Sequence, residues 1–255
     1  MTTDLGPLAV VIPAYNEAVG LPGFLQEIDA ALSTWPRGAE IIVVDDASTD
    51  GTADAVERTE LKATVRVVRN DTNLGHGPTL LRAYRLAVRT NAALVWHVDG
   101  DGQFAATDFS TLQRAISAGA DVAIGVRRNR VDPFHRKLLS AAVRKYLAVF
   151  FGVRSADPNT PFRLYRRGAL STLLERVPDD ALIPSIYLTV LAARGGLAVS
   201  ETAVAHYERR GGGAGTTWRG QRIPIRLLVF ASRALRESVE LRRELVRAAP
   251  IPPKS

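Results

Sequence analysis

One pattern in the first hundred residues constrains the fold more than anything else. Short apolar runs, "LAVVIPAY", "AEIIVVDDAS", "TVRVVRN" and "AALVWHV", alternate with segments of helical period such as "EAVGLPGFLQEIDAALSTW" and "NLGHGPTLLRAYRLAVRT". Strand–helix alternation of this kind predicts a largely parallel sheet with helices on both faces. Ser48, Thr49 or Asp50 is placed to cap the helix after the second run, and Pro78 suits the first turn of the third helix. Ligands of such sheets bind beyond the carboxyl ends of the strands. Asp45, Asp46, Asp99 and Asp101 each follow a strand, so they are expected to converge on one rim.

The later sequence is less regular. "TDFSTLQRAISAG" reads as a helix, "ADVAIGVR" as a strand and "PFHRKLLSAAVRKYLAVFFG" as a long amphipathic segment. "TPFRLYRRGAL" and "GLAVSETAVAHYERR" read as strands feeding loops, "RGGGAG" as a flexible loop, and the chain from Pro224 onward as a helix. On a helical wheel Arg226, Arg233, Arg236, Glu237, Glu240, Arg243, Glu244 and Arg247 fall within roughly a 120° arc. The organisation expected is a main domain over 1–222, a basic amphipathic helix over 223–247 and a frayed tail over 248–255.

Composition narrows the classes. The chain has 255 residues, 46% of them hydrophobic, which supports a core and argues against disorder. It has no cysteine, which excludes disulfides, thiolate metal sites and a cysteine nucleophile, and fits a reducing compartment. The N-terminus offers no basic n-region or apolar h-region, and no stretch of 18 uninterrupted apolar residues occurs. The expectation is therefore a cytoplasmic protein that does not span a membrane by itself. Of the net charge of +7, residues 219–247 carry +5, from eight Arg and three Glu. Such a stretch suits an anionic partner, or is simply a solvated helix face.

The stretch "LVWHVDGDGQF" carries the chemistry. Asp99 and Asp101 stand one glycine apart where a buried strand ends, with Gln103 at the same spacing. Two carboxylates at i and i+2 can share a hard divalent cation, and Mg²⁺ commonly takes one or two carboxylates and completes its shell with substrate phosphates. The cation also cancels the repulsion between them. Gln103 can add an amide oxygen, and Gly100 and Gly102 allow a tight turn and close approach. The bland alternative is a solvated Asp-Gly turn. A calcium loop is excluded, since the later EF-hand glycine and terminal Glu are missing.

Three neighbouring segments favour the first reading. "VVIPAYNE" sets Tyr15 and Glu17 after the first strand, "VVDDASTDGT" sets acids after the second, and "NLGHGPTL" sets a glycine loop before a helix N-terminus. Together with "DGDGQ", in this order, they resemble a family 2 glycosyltransferase with the GT-A fold, a Rossmann-like, mostly parallel α/β sheet flanked by helices. "DPNTPFRLYRRGAL" and "HYERRGGG" extend the resemblance to the dolichol-phosphate mannose synthase and polyprenyl-phosphate glycosyltransferase branch, over roughly residues 8–235. The resemblance implies a metal, Mg²⁺ or Mn²⁺, on Asp99, Asp101 and Gln103. It implies a nucleotide-sugar donor on Pro13, Tyr15, Glu17, Asp45, Asp46, Gly75, Asp99 and Gly100. It implies a lipid-phosphate acceptor on Arg127, Arg136, Ser140, Arg163, Arg209 and Arg210, with Asp99, Asp101 and Arg127 closest to catalysis. The sequence departs from the branch in having "GHGP" in place of a Gly-Lys-Gly-like loop and "NTPFR" where Gly or Ser often precedes Phe. It also lacks the two C-terminal membrane spans of many bacterial relatives, which implies a soluble enzyme or one peripheral to the inner face of the membrane.

Chemistry separates the acceptors. A hydroxyl nucleophile needs a positioned carboxylate base, whereas a phosphate monoester is already anionic and needs arginines. The second half is rich in arginine and has no apolar-flanked Glu-Asp pair, "PDDALIP" with Asp179 and Asp180 coming nearest. This favours a phosphate acceptor, which the resemblance implies is a polyprenyl phosphate, over a hydroxyl or amine acceptor, for which Asp157 or Asp180 would be the base. A noncatalytic nucleotide- or nucleic-acid-binding module is the remote alternative; no helix-turn-helix, zinc-finger or RNP pattern is present, so no nucleic-acid partner is expected. His76 and His206 read either as ligand contacts or as plain loop residues, and His97 reads as a core histidine. Trp218 reads as a membrane anchor or a lid, and Arg82, Arg85 and Arg89 as a solvated face. The mixed face around Glu237, Glu240 and Glu244 suits packing or a homodimer.

Overall fold

A computed structural model describes residues 5–33, 35–128, 134–210, 233 and 236–245, with the backbone alone over 134–138. The strands are β1 (Leu8–Ala14), β2 (Ala39–Asp45), β3 (Thr64–Arg69), β4 (Leu94–His97), β5 (Val122–Arg127), β6 (Arg163–Arg166) and β7 (Val199–Val204). The helices are α1 (Leu21–Leu32), α2 (Thr52–Glu57), α3 (His76–Val88), α4 (Phe109–Ser117), α5 (Phe134–Phe151), α6 (Arg167–Leu174) and α7 (Pro184–Arg194).

The strands form one sheet in the order β3-β2-β1-β4-β6-β5-β7. Pairing is parallel except along β6, which runs antiparallel to both β4 and β5. Successive side chains of a strand point to opposite faces, so each strand feeds two cores. Ala9, Val11, Ile42, Val44, Val95, Val122 and Tyr165 join the core under α3, α6 and α7. Leu8, Val10, Ile12, Ile41, Val43, Leu94, Trp96 and Leu164 join the core under α1 and α4. Each fully buried aliphatic side chain contributes about 1.5–3 kcal/mol relative to exposure, which is what holds the layers together.

The four expected strands and their following helices stand where the alternation predicts. The cap of α2 differs in detail: Gly51 takes the N-cap at φ 84°, and Asp50 Oδ1, one residue earlier, accepts the Thr52 N–H at 3.0 Å. Helices α6 and α7 fall where the sequence reading placed no helix. Beyond β7, residues 236–245 are helical. The glycine loop at 211–215, Trp218 and most of the basic stretch at 219–235 lie outside the described residues. Among the described residues no helix is long and apolar enough to cross a membrane.

Candidate active site

The rim at the carboxyl ends of β1, β2 and β4 is built from three stitched loops. The loop after β1 is sewn to the loop after β2 by four bonds: Asn16 N to Ser48 Oγ (2.9 Å), Glu17 N to Thr52 Oγ1 (2.8 Å), Ala18 N to Asp50 Oδ2 (3.0 Å) and Thr49 N to Asn16 Oδ1 (3.0 Å). Asn16 reaches this geometry at φ 55°, a left-handed conformation that asparagine tolerates better than most residues. Part-buried Tyr15 and buried Glu17 are thereby fixed over the sheet edge, just past buried Pro13.

The two acids after β2 behave differently. Asp45 is buried, accepts the Ser48 backbone N–H at 3.2 Å and the Ser48 hydroxyl, and lies 4.0 Å from Arg69 Nε. Asp46 accepts Asn70 Nδ2 (2.7 Å), Leu74 N (2.8 Å) and Gly75 N (2.9 Å). Its carboxylate therefore holds the glycine loop in place rather than facing the rim. Within that loop Gly75, the N-cap of α3, takes φ 87° with open space where a side chain would stand. Gly77 answers to packing: a Cβ there would sit 2.2 Å from the Ala181 carbonyl.

Glu17, Asp99 and Asp101 crowd together at the rim centre. Burial, opposed by Arg209 and reinforced by Asp101 and Asp99, pushes the Glu17 carboxyl up to about 7. Burial and the adjacent Asp99 push Asp101 up to about 6. Asp99 itself is held below the usual range, since His76, His97 and Arg127 outweigh its burial. His97 Nε2 lies 3.2 Å and His76 Nε2 3.9 Å from Asp99 Oδ1. Carboxylates that retain protons for want of positive charge are a fit environment for a divalent cation. Among the described residues no group of three His, Asp or Glu is arranged to hold a metal. Asp99 and Asp101 alone match a cation that takes much of its shell from a ligand's phosphates. Gln103 Nε2 donates to the Tyr207 carbonyl at 3.2 Å.

That contact belongs to a strap. After β7, Tyr207 N donates to Gln103 O (2.9 Å) and Arg210 N to Asp101 O (3.1 Å). Arg209 forms an ion pair with Glu17. Arg210 donates to Gly102 O (3.1 Å), pairs with both Glu27 oxygens (2.5 and 2.9 Å) and lies 5.4 Å from the Phe24 ring centroid. Gly102, at φ 66°, makes room for this: a Cβ would stand 2.5 Å from Arg210 Cδ. Gly100 packs closely against Ile12 and Leu21.

The arginines expected at an acceptor are placed unevenly. Arg127, at the end of β5, forms a two-pronged pair with Asp157, Nε to Oδ2 at 2.6 Å and Nη2 to Oδ1 at 2.8 Å. Ser140 is part-buried on α5, and the Arg136 side chain lies outside the described residues. Arg163 corrects the expectation of an acceptor contact. It is fully buried, and its guanidinium donates to Thr160 O (2.7 Å), Pro158 O (2.5 Å) and Thr189 Oγ1 (2.9 Å). The neighbouring Arg166 caps the end of α4 through Ile116 O (2.9 Å) and Ala120 O (3.1 Å). His206 packs edge-on against Phe104 rather than facing a ligand. Asp179 pairs with Arg85, and Asp180 with Arg233.

The family model described as "Glycosyl transferase family 2" matches residues 9–174. An undecaprenyl-phosphate 4-deoxy-4-formamido-L-arabinose transferase from Aeromonas hydrophila is 32% identical over 82% of this chain, which spans 63% of that relative's length. A polyprenol monophosphomannose synthase from Mycolicibacterium smegmatis is 32% identical over 78% of this chain and 77% of its own. Among solved structures, glucosyl-3-phosphoglycerate synthase from Mycobacterium tuberculosis in complex with Mn²⁺ and UDP-glucose superposes at TM-score 0.63 with 19% identity, over 92% of this chain and 78% of that one. A mannosyltransferase from Pyrobaculum calidifontis in complex with GDP-Man and Mn²⁺ superposes at 0.59 with 21% identity, over 96% of this chain and 65% of that one. At these identities the two structures speak for the fold, an α/β sheet of the GT-A kind.

Proposed function

We propose that this chain, which belongs to glycosyl transferase family 2, moves a hexose from a nucleotide sugar to the phosphate of a polyprenyl lipid. The observation that carries this reading is the crowding of Glu17, Asp99 and Asp101 at the strand ends, where Glu17 and Asp101 are pushed up and Asp99 is held down. A nucleoside diphosphate and a divalent cation, Mg²⁺ or Mn²⁺, together suit such a place, where neither would alone. Asp99 and Asp101 would hold the cation, which would supply neutralisation of the leaving diphosphate. Asp45 and Tyr15 would hold the nucleoside. One displacement at the anomeric carbon inverts its configuration.

The acceptor follows from what the carboxylates are doing. Asp157, Asp179 and Asp180, the candidates for a base toward a hydroxyl, are each engaged by an arginine. A phosphate nucleophile needs no such base. Both relatives carry names that refer to an undecaprenyl phosphate or a polyprenol monophosphomannose. Arg209 is the cation best placed to serve twice: paired with Glu17 it seats the strap, and turned away from Glu17 it can meet an acceptor phosphate. Arg136 and Ser140 on α5 complete the proposed acceptor side. The positive charge of residues 219–247 supports a peripheral contact with an anionic membrane, each nearby Lys or Arg contributing about 1 kcal/mol.

The test is transfer from labelled GDP-mannose and from UDP-sugars to a short polyprenyl phosphate and to the matching alcohol. Transfer to the phosphate alone is expected. Equal use of the alcohol would replace this reading with the hydroxyl-acceptor one.

A further inference from the structure

A file of four polar side chains lies in the core under α3. His97 ends β4, and Arg163 lies directly opposite it on β6; Tyr165, two residues on, lies opposite Val95 on the same face. Tyr84 covers them from α3, edge-on to Tyr165 at 5.7 Å and to His97 at 5.3 Å between ring centroids. All four side chains are fully buried. Arg163 Nη1 lies 3.4 Å from the Tyr165 hydroxyl, and the Tyr84 hydroxyl is 2.8 Å from His97 Nδ1. His97 Nε2 then reaches Asp99 Oδ1 at 3.2 Å.

The direction of the bonds at His97 is fixed from the Asp99 end. An ionised carboxylate only accepts. Nε2 must therefore carry a proton, whatever the charge on the ring. In the neutral imidazole that leaves Nδ1 bare, so the Tyr84 hydroxyl donates to it.

We propose that His97 is a positioning residue for the metal-binding carboxylate: backed by Tyr84, it donates Nε2–H to Asp99 Oδ1 and leaves the other oxygen available to a cation. This rests on the reading of Asp99 and Asp101 as the cation's ligands. Partners behind a ligating group commonly change metal affinity 10- to 100-fold when lost. A buried file is a costly way to fill a core unless its end point needs holding, because each unmet polar atom there is penalised.

The experiment has two arms on the full chain. Long-range ¹H–¹⁵N spectra of the cation-free protein, with His97 assigned by its absence in His97→Gln, read the tautomer. A protonated Nε2 and bare Nδ1 are expected, and an Nδ1–H tautomer overturns the proposal. Mn²⁺ binding is then followed by electron paramagnetic resonance in the presence of GDP and of UDP. His97→Leu should weaken Mn²⁺ about 10- to 100-fold, and His97→Gln, whose amide can donate from the same place, should recover most of that. Tyr84→Phe, which removes one hydroxyl and keeps the ring, should mix the tautomers and weaken Mn²⁺ more modestly; it serves if His97→Leu does not fold. Wild-type affinity in His97→Leu, or in Tyr84→Phe if His97→Leu does not fold, overturns the positioning role while leaving the metal site standing. Absence of Mn²⁺ binding by the wild type with either nucleotide removes the metal site itself, and the proposal with it.

Discussion

Arg209 reaches across the rim to Glu17, a residue 192 positions earlier in the chain, and the ion pair joins the segment after β7 to the loop after β1. Even with this partner the Glu17 carboxyl is raised to about 7, and Asp101 to about 6. The folded, cation-free chain thus holds protons that the unfolded chain releases near pH 4 to 5. Stability from these groups is present at low pH and is lost as pH rises through about 6 and then 7. Thermal melts in chelator should show the melting temperature falling across that window. Glu17→Gln should flatten the upper part of the fall. A wild-type profile that rises from pH 5 to 7.5 relative to Glu17→Gln would contradict the assignment.

Asp101 carries the sharper prediction, because stability and function should move in opposite directions. Asp101→Asn removes one charge from the crowded cluster with little change of shape, so the cation-free melting temperature should hold or rise. Transfer should fall by at least about 10- to 150-fold, the loss expected for one charge-assisted contact of about 1.5–3 kcal/mol. Full turnover of Asp101→Asn at saturating Mn²⁺ would remove this residue from the metal site.

Much of this arrangement was legible in the sequence, for physical reasons that also mark where legibility stops. β1, β2 and β4 are apolar runs that end abruptly in polar groups, so both the sheet and its acidic rim could be read. α7 could not, because its helix buries Tyr187, Leu188, Thr189, Val190, Leu191 and Ala192 in succession and so shows no polar face. α6 follows β6 without a turn, Arg166 being both the last strand residue and the helix N-cap. The pattern placed Asp99 and Asp101 at the rim but could not name the partners of Asp46, Gln103 or Arg163, which the fold brings from other segments. A usable signal did exist for the buried file. His97 shares the face of Val95, and Arg163 that of Tyr165, so two strands each place polar groups on an otherwise apolar side.

Gly102 is expected to matter through Arg210. Alanine there would take a left-handed φ of 66° and bring its Cβ within 2.5 Å of Arg210 Cδ. The conformation alone costs about 1–2 kcal/mol, and the collision adds the displacement of Arg210 from Glu27. A double-mutant cycle separates the two. Gly102→Ala should destabilise less in an Arg210→Ala background than in the wild type, as read by urea unfolding. Strict additivity would mean that the glycine answers only to its backbone angle.

Arg163 should behave as a core residue in spite of its charge. Arg163→Met would strand the carbonyls of Pro158 and Thr160, each buried acceptor costing about 1–3 kcal/mol when unmet. A loss of at least about 2 kcal/mol in urea unfolding is expected, with no change in KM for the acceptor in the protein that remains folded. A variant of wild-type stability with a weakened acceptor KM would return Arg163 to the acceptor site.

The pair of Arg127 and Asp157 offers a test between acceptors. Its two bonds, at 2.6 and 2.8 Å, use both oxygens of a carboxylate whose side chain is 5% exposed. A general base must take up a proton as the nucleophile attacks. Protonating Asp157 would forfeit a two-pronged, charge-assisted contact, so the pairing opposes that role. If the acceptor is a phosphate, Asp157→Asn should lower the melting temperature yet keep transfer to a polyprenyl phosphate within about tenfold, or about 1.4 kcal/mol. Arg127→Ala should be the more damaging to the fold, by about 3–5 kcal/mol, because it leaves a buried carboxylate without its partner. Replacing both residues by leucine should restore much of that stability. Abolition of transfer in a folded Asp157→Asn would identify Asp157 as a base, and a hydroxyl would then take the place of the phosphate as nucleophile.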